Sequence, residues 1–302
     1  MSPNLLSQGQ KQFLAPLVFV LLWSTSWPVV KFAMPYADPL TFLALRFEFA
    51  ALAAVLIAYA GRARQPESLG ELGHMLFSGV FMFALYTGGM WWSVVHGLPM
   101  VVSALIAATQ PLMTAAISPF FGEKTTERQW LGVFVGFCGV AMVLSPHLSG
   151  VESTVMPIIV TFVAIFSFSL GTFHQKYYIP RADARTLFAY QYIGGLLVMF
   201  PAAWIFEPMY FELQIVTTLV LMWAVIAQSI FAMMLYLYMT RQKSVTPVAA
   251  LIYLVPPLVA IQGYVFFGEV LTLLQFGGML MVAAGVYLAT RVPRRAIEIE
   301  AI

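Results

Sequence analysis

Charge is what this chain has least of. Of its 302 residues, 9% are Asp, Glu, Lys or Arg, against roughly 25% in ordinary soluble domains, so no water-facing surface can be assembled from it. Histidine is almost as scarce: the four histidines are scattered, and none stands at metal-ligand spacing from another, which argues against a zinc-type centre. One cysteine, Cys138, lies in an apolar stretch and has no partner for an internal disulfide. Neither a Walker lysine motif nor a GxGxxG turn after a strand is present. The expectation is a protein that is not an enzyme and uses no cofactor and no metal.

What the chain has is length of apolar sequence. Hydrophobic residues make up 61% of it, and ten runs fall near 13–33, 40–61, 74–95, 101–121, 129–146, 155–178, 186–206, 217–240, 246–268 and 271–291. Each approaches the ~20 residues that cross a ~30 Å hydrocarbon core as a helix. A bilayer leaves free backbone amides unsatisfied, and the runs are far longer than barrel strands, so an all-α integral membrane protein of ten transmembrane helices is predicted. The first run is longer than a signal-peptide core and is read as a retained helix.

Lys and Arg set the expected orientation. With the N-terminus inside, the cytoplasmic segments hold Lys11, Arg62, Arg64, Lys124, Arg128, Arg181, Arg185, Arg241, Lys243, Arg291, Arg294 and Arg295, and the outer loops hold none. Both termini are therefore expected in the cytoplasm. The net charge of +2 reports topology in this chain, and its spread among loops offers no nucleic-acid surface.

The chain also repeats itself. Residues 102–140 align with 248–286 at an offset of 146, with 15 of 39 positions identical, including Pro111 with Pro257, the FFGE runs ending at Glu123 and Glu269, Gln129 with Gln275 and Gly132 with Gly278. Lys31, Pro35, Ala37, Asp38 and Thr41 recur as Lys176, Pro180, Ala182, Asp183 and Thr186 at an offset of 145. Repeats fix architecture before any local motif does. Five helices per copy is an odd number, so the second copy enters the membrane from the opposite side, giving two inverted five-helix repeats over 13–146 and 155–291. Such pairs expose a midplane site to one side and then the other.

The doubled pattern of ALI, Pro-Leu, Gly-Glu, Thr, Gln and Gly-x6-Gly resembles the EamA domain of the drug/metabolite transporter superfamily. LLWSTSW from Leu21 to Trp27 and LRF from Leu45 to Phe47 resemble the start of that domain. The resemblance covers about residues 13 to 291. It implies a multi-pass carrier of the bacterial inner membrane whose partners are a small-molecule substrate and membrane lipid, with a proton as candidate coupling ion and no obligate protein partner. Amino acids or related amphipathic compounds are the first expected cargo. Lipophilic cations or drugs, vitamin-like or nucleoside-like metabolites, and a non-transporting membrane sensor are the alternatives.

Candidate substrate-binding residues are polar, aromatic or ionisable groups within the spans. The first span offers Ser24 and Trp27, beside Trp23 and Ser26; the sixth answers with Ser167. The third carries Tyr86, Trp91 and Trp92, and the eighth Gln228 and Tyr236; aromatic faces suit amphipathic solutes, while residues near helix ends also suit an interfacial belt. Gln110 stands beside Pro111, and Tyr253 one turn before Pro256 and Pro257; these three prolines are the candidate hinges. Arg46 and Glu48 lie well inside the second span. An intramembrane charge is a functional candidate by default: Glu48 for a proton or cation, Arg46 for a carboxylate, or both as snorkelling or structural groups. His174 is read as a titrating or interfacial residue. Lys31 and Lys176 are read as helix-end anchors or gate ion pairs, and Glu123 and Glu269 as caps of the fifth and tenth helices.

Overall fold

The computed structural model describes residues 8–98, 100–145, 155–242, 245–267 and 272–290. They form ten helical stretches. In the first half these are α1 (Gln8–Ser24, continued by Ser26–Ala33), α2 (Pro39–Ala60), α3 (Leu69–Val95), α4 (Met100–Ala107, Gln110–Ile117 and a last tight turn Ser118–Phe121) and α5 (Glu127–Leu144). In the second they are α6 (Val155–Tyr178), α7 (Ala184–Phe206), α8 (Ile215–Gln242), α9 (Val245–Ala249, Ala250–Leu254 and Val255–Phe267) and α10 (Leu273–Thr290). Among the described residues nine helices are long and apolar enough to cross a membrane, and the unbroken apolar part of α1, Leu14–Ser24, is shorter.

Proline explains three interruptions. A proline has no N–H for the carbonyl four residues back. For Pro28 that residue is Ser24, where the first part of α1 ends; for Pro111 it is Ala107, where the first part of α4 ends. Pro256 and Pro257 look back on Ile252 and Tyr253, inside the tightened Ala250–Leu254 segment. Two further irregularities have no proline inside them. Val80–Gly88 in α3 and Ala224–Ala232 in α8 are wound wider than an α-helix, at matching depth in the two halves. Such widened turns recur at functional sites.

Equivalent helices pack antiparallel, which is the inversion made visible. Along α5 and α10, a Cβ added at Gly132 would lie 2.4 Å from the Ala289 backbone, one at Gly139 2.6 Å from that of Val282, and one at Gly285 2.4 Å from that of Gly136. The backbones therefore touch through the Gly-x6-Gly pairs, the close approach that small residues permit in membranes. Along α2 and α7 the polarity is fixed by charge. Glu207 at the end of α7 accepts the amides of Leu40 and Thr41, at 2.8 and 2.7 Å, at the start of α2. At the other end Arg185 donates to the Gly61 carbonyl at 3.0 Å. Arg185 also hydrogen-bonds the Asp183 carboxyl and holds it down to about 2, so as pH falls this loop contact persists through the ordinary carboxylate range and is lost only in strong acid.

The two halves also start their last helices alike. Thr126 and Gln129 cap α5, with the Thr126 amide 2.8 Å from Gln129 Oε1, and Thr272 and Gln275 repeat the arrangement at 2.8 Å on α10. This corrects the expectation that Glu123 caps α5: a capping box already fills that role, and Glu123 turns to α6. The outside of the bundle is apolar, with Leu52, Phe134, Leu197 and Trp204 all more than half exposed, as lipid-facing helices require.

Candidate functional site

Between the halves lies a cavity of about 140 Å³. Its walls come from α1 (Trp23 and Ser26) and the turn after it (Met34), α2 (Arg46), α3 (Tyr86, Thr87, Met90, Trp91 and Val94), α4 and its interruption (Ser103, Ala104, Ala107 and Ala108), α8 (Gln228) and α9 (Ile252, Val255 and Pro256). It runs from the mid-helix level of Arg46, Tyr86 and Gln228 toward the end of the bundle where α1 and α3 finish and α4 begins. The interruptions at Thr25 and in α4 and α9, and the widened turns of α3 and α8, all fall around it.

Local structure aims these side chains. The break at Thr25 frees its hydroxyl to accept from Trp223 Nε1 at 2.9 Å and Gln228 Nε2 at 3.2 Å, which fixes the amide of Gln228. Arg46 Nε donates to Ser229 Oγ at 2.8 Å, and Ser229 also receives Tyr192 OH on its carbonyl at 2.6 Å. Trp91 lies parallel to Phe42, centroids 5.6 Å apart, while Phe168 carries Tyr86 on one side and Trp23 on another, at 4.6 and 6.0 Å. The aromatic wall is thus held from behind, each ring pair contributing about 0.5–1.5 kcal/mol beyond area burial.

Of the candidate residues, Arg46, Tyr86, Trp91, Gln228 and Pro256 line this cavity. The others sit elsewhere. Glu48 is exposed on the outer face of α2, away from the cavity, next to Phe49 at 46% exposure. Ser24 ties α1 to α9 by accepting Gln262 Nε2 at 2.9 Å. Ser167 donates within its own helix to Val163. Gln110 faces α6 and donates to Thr114 and Ser169. Trp92 stacks on His96 at 3.9 Å near the end of α3. Tyr236 is buried against Phe19, Phe168 and the Thr172 hydroxyl. Tyr253 is buried with its ring against Gly136. Pro111 and Pro257 are buried outside the lining, and the side chain of Trp27 lies outside those described. The lining residues not singled out include four small ones on α4, Ser103, Ala104, Ala107 and Ala108. Their signal was in the repeat: Ala107 and Ala108 stand where the second copy has Tyr253 and Leu254.

At the opposite end of the bundle the described residues tie the helices together. Lys176 Nζ lies 2.7 Å from Glu123 Oε1, Tyr177 OH donates to the same oxygen at 3.1 Å, and the Val245 amide donates to Oε2 at 2.9 Å. One carboxylate thereby joins α4, α6 and α9. Phe121 stacks on Phe173 at 4.9 Å beside it, and His74 and His174 meet at 3.0 Å between α3 and α6. Deeper in, Gln191 donates to Ser78 Oγ at 2.8 Å and Gln175 Oε1 at 2.7 Å. Gln191 is the repeat equivalent of Arg46, so one half carries a neutral amide that donates into the core where the other carries a cation on a cavity. Gln191→Leu is expected to cost about 1–3 kcal/mol, because it takes the donor away from Gln175 Oε1 and Ser78 Oγ in the core; a lowered midpoint of thermal unfolding in detergent is the check.

The EamA-like transporter family model matches this chain twice, over residues 11–145 and 155–291. The uncharacterised transporter YvbV of Bacillus subtilis (strain 168) is 24% identical over 281 residues, spanning 89% of this chain and 88% of its own. A probable amino-acid metabolite efflux pump of Escherichia coli (strain K12) is 23% identical over 290 residues, spanning 93% and 95%. One solved crystal structure superposes with a TM-score of 0.77 at 16% identity, covering 96% of this chain and 100% of that one, and shares its fold. With two family-model matches, two inverted repeats and an apolar exterior, the chain belongs to the EamA-like transporter family of multi-pass membrane proteins.

Proposed function

We propose that the protein exports a small metabolite, an amino acid or a related amphipathic compound, from the bacterial cytoplasm across the inner membrane by alternating access through the cavity between the repeats. The observation that carries this reading is the composition of the cavity: one cation and a few hydroxyl and amide groups set in aromatic and aliphatic walls, the mixture that orients a solute with one polar end. The efflux function named for the Escherichia coli relative supports the direction and the class. With both termini cytoplasmic, the Glu123 lock lies on the inner side and the end of the cavity near Met34 and Val94 on the outer. The breaks before Pro111 and Pro256 are then where α4 and α9 flex.

A lipophilic-cation exporter needs an acid in the cavity. Among the described residues the lining offers none, and Glu48 faces away. Purified protein in liposomes loaded with radiolabelled amino acids and their hydroxy-acid and N-acyl derivatives is expected to release label faster than empty vesicles. Absence of flux for every member of that panel would sink the proposal.

A further inference from the structure

Arg46 brings a fixed positive charge to the cavity, since a guanidinium stays protonated in proteins. Its Nε is engaged by Ser229. No hydrogen bond or ion pair from a described residue reaches Nη1 or Nη2, and the lining contains no Asp or Glu. Two further groups of the lining are buried and lack a partner among the described residues: Gln228 Oε1 and Ser103 Oγ. Because Gln228 Nε2 is held by Thr25, its oxygen is the end left over, an acceptor one residue from the serine that holds Arg46. The polar equipment is therefore a two-pronged cation, a neutral acceptor and a hydroxyl, facing Trp23, Tyr86 and Trp91.

A charge inside the membrane costs several kcal/mol unless it is compensated. The side chains of the lining carry +1. A zwitterion leaves the cavity at +1, a cationic amphipath raises it to +2, and a monoanion brings it to neutrality. We infer that Arg46 is the carboxylate anchor and that the carried species is a monoanion, a hydroxy acid or N-acyl amino acid whose neutral O–H or N–H donates to Gln228 Oε1. This rests on the carrier reading above and narrows it to one charge class. The bidentate fit of guanidinium to carboxylate supplies orientation as well as charge.

The test is a series of one size and three charges: 2-hydroxyisocaproate (monoanion), leucine (zwitterion) and leucinol (cation), assayed at neutral pH by uptake into liposomes carrying the protein and by thermal shift. The expected result is half-saturation by 2-hydroxyisocaproate at a concentration at least about tenfold lower than by leucine, one decade being about 1.4 kcal/mol, with no response to leucinol. Arg46→Gln is expected to raise that half-saturation at least about tenfold at unchanged unfolding temperature, and Arg46→Lys to fall between the two. A preference for the monoanion below tenfold, or Arg46→Gln carrying it as well as the parent, overturns the inference and leaves the carrier reading standing. Flux of none of the three, with folded protein, overturns the inference, and the carrier reading falls with it when the whole amino-acid, hydroxy-acid and N-acyl panel is also silent. Should Arg46→Gln fail to fold, the charge series on the unaltered protein and the Arg46→Lys variant decide the matter.

Discussion

Ala107→Tyr is expected to stop transport in a protein that still folds. The second repeat already places a tyrosine, Tyr253, at the equivalent position, where its ring is buried against Gly136 and fills the space. In the first repeat the same position is alanine, as is Ala108 where the second copy has Leu254, and the cavity of about 140 Å³ opens beside them. A phenol ring entering from α4 would occupy the cavity that Trp91, Tyr86 and Arg46 also line and remove the volume a solute would use. Filling a void with an aromatic side chain adds burial without forcing backbones apart, so the unfolding temperature should hold or rise. Flux in liposomes should fall by about a hundredfold or more, the loss expected when nearly all of a binding site is occupied. An Ala107→Tyr protein that transports normally would place the route elsewhere.

Gly285→Val is expected to do the reverse and destroy the fold. A Cβ at Gly285 would lie 2.4 Å from the Gly136 amide nitrogen, 2.6 Å from its Cα and 2.7 Å from the Gly132 carbonyl oxygen. Every one of those atoms is backbone, so no rotamer change relieves the overlap, and α5 and α10 must separate. In a membrane that loss is severe, because packing at close approach is the main force holding helices together. A destabilisation beyond the usual ~1–3 kcal/mol of overpacking is expected. Gly277→Ala is the matched control: its Cβ would meet only Met142 Cε at 3.5 Å. Thermal unfolding of the two variants in detergent should differ sharply, with Gly277→Ala near the parent.

The helices, their number and the breaks at Pro111, Pro256 and Pro257 were legible because bilayer physics writes them plainly: apolar runs of spanning length, and prolines whose missing N–H falls opposite Ala107, Ile252 and Tyr253; the break that Pro28 makes after Ser24 was not singled out. The inversion was legible in the repeat. The direction of individual side chains was less so. Arg46 and Glu48 are about 200° apart on a helix, so opposite faces were expected. Which one faces inward could not be read, since lipid and core are both apolar and Leu45, Phe47 and Phe49 flank them indifferently. Tyr253 and Tyr236 looked like cavity residues and are packing residues, because what fills the space in front of them, Gly136 and Phe19, comes from other helices. The widened turns in α3 and α8 carry no proline and no local mark. Glu123 was read as a cap because only its sequence neighbours were visible; Lys176 reaches it from 53 residues away. Where the halves disagree proved informative: Arg46 against Gln191, Trp91 against Leu237 and Ala107 against Tyr253 mark the difference between a hollow half and a filled one.

The central claim, that one cavity is exposed first to one side and then to the other, is tested most directly by labelling. Thr87 lines the cavity, and Cys138 is the one native thiol, so Thr87→Cys in a Cys138→Ala background reports on that space alone. An impermeant maleimide should label it from the outer face of membrane vesicles and hardly at all from the cytoplasmic face. Adding Glu123→Gln weakens a carboxylate that ties α4 to α6 and α9, in bonds of about 1.5–3 kcal/mol each, and should raise cytoplasmic labelling by about tenfold or more while outer labelling falls. Labelling from both faces alike in the parent, or rates that Glu123→Gln leaves unchanged on both faces, would contradict alternating access through this cavity.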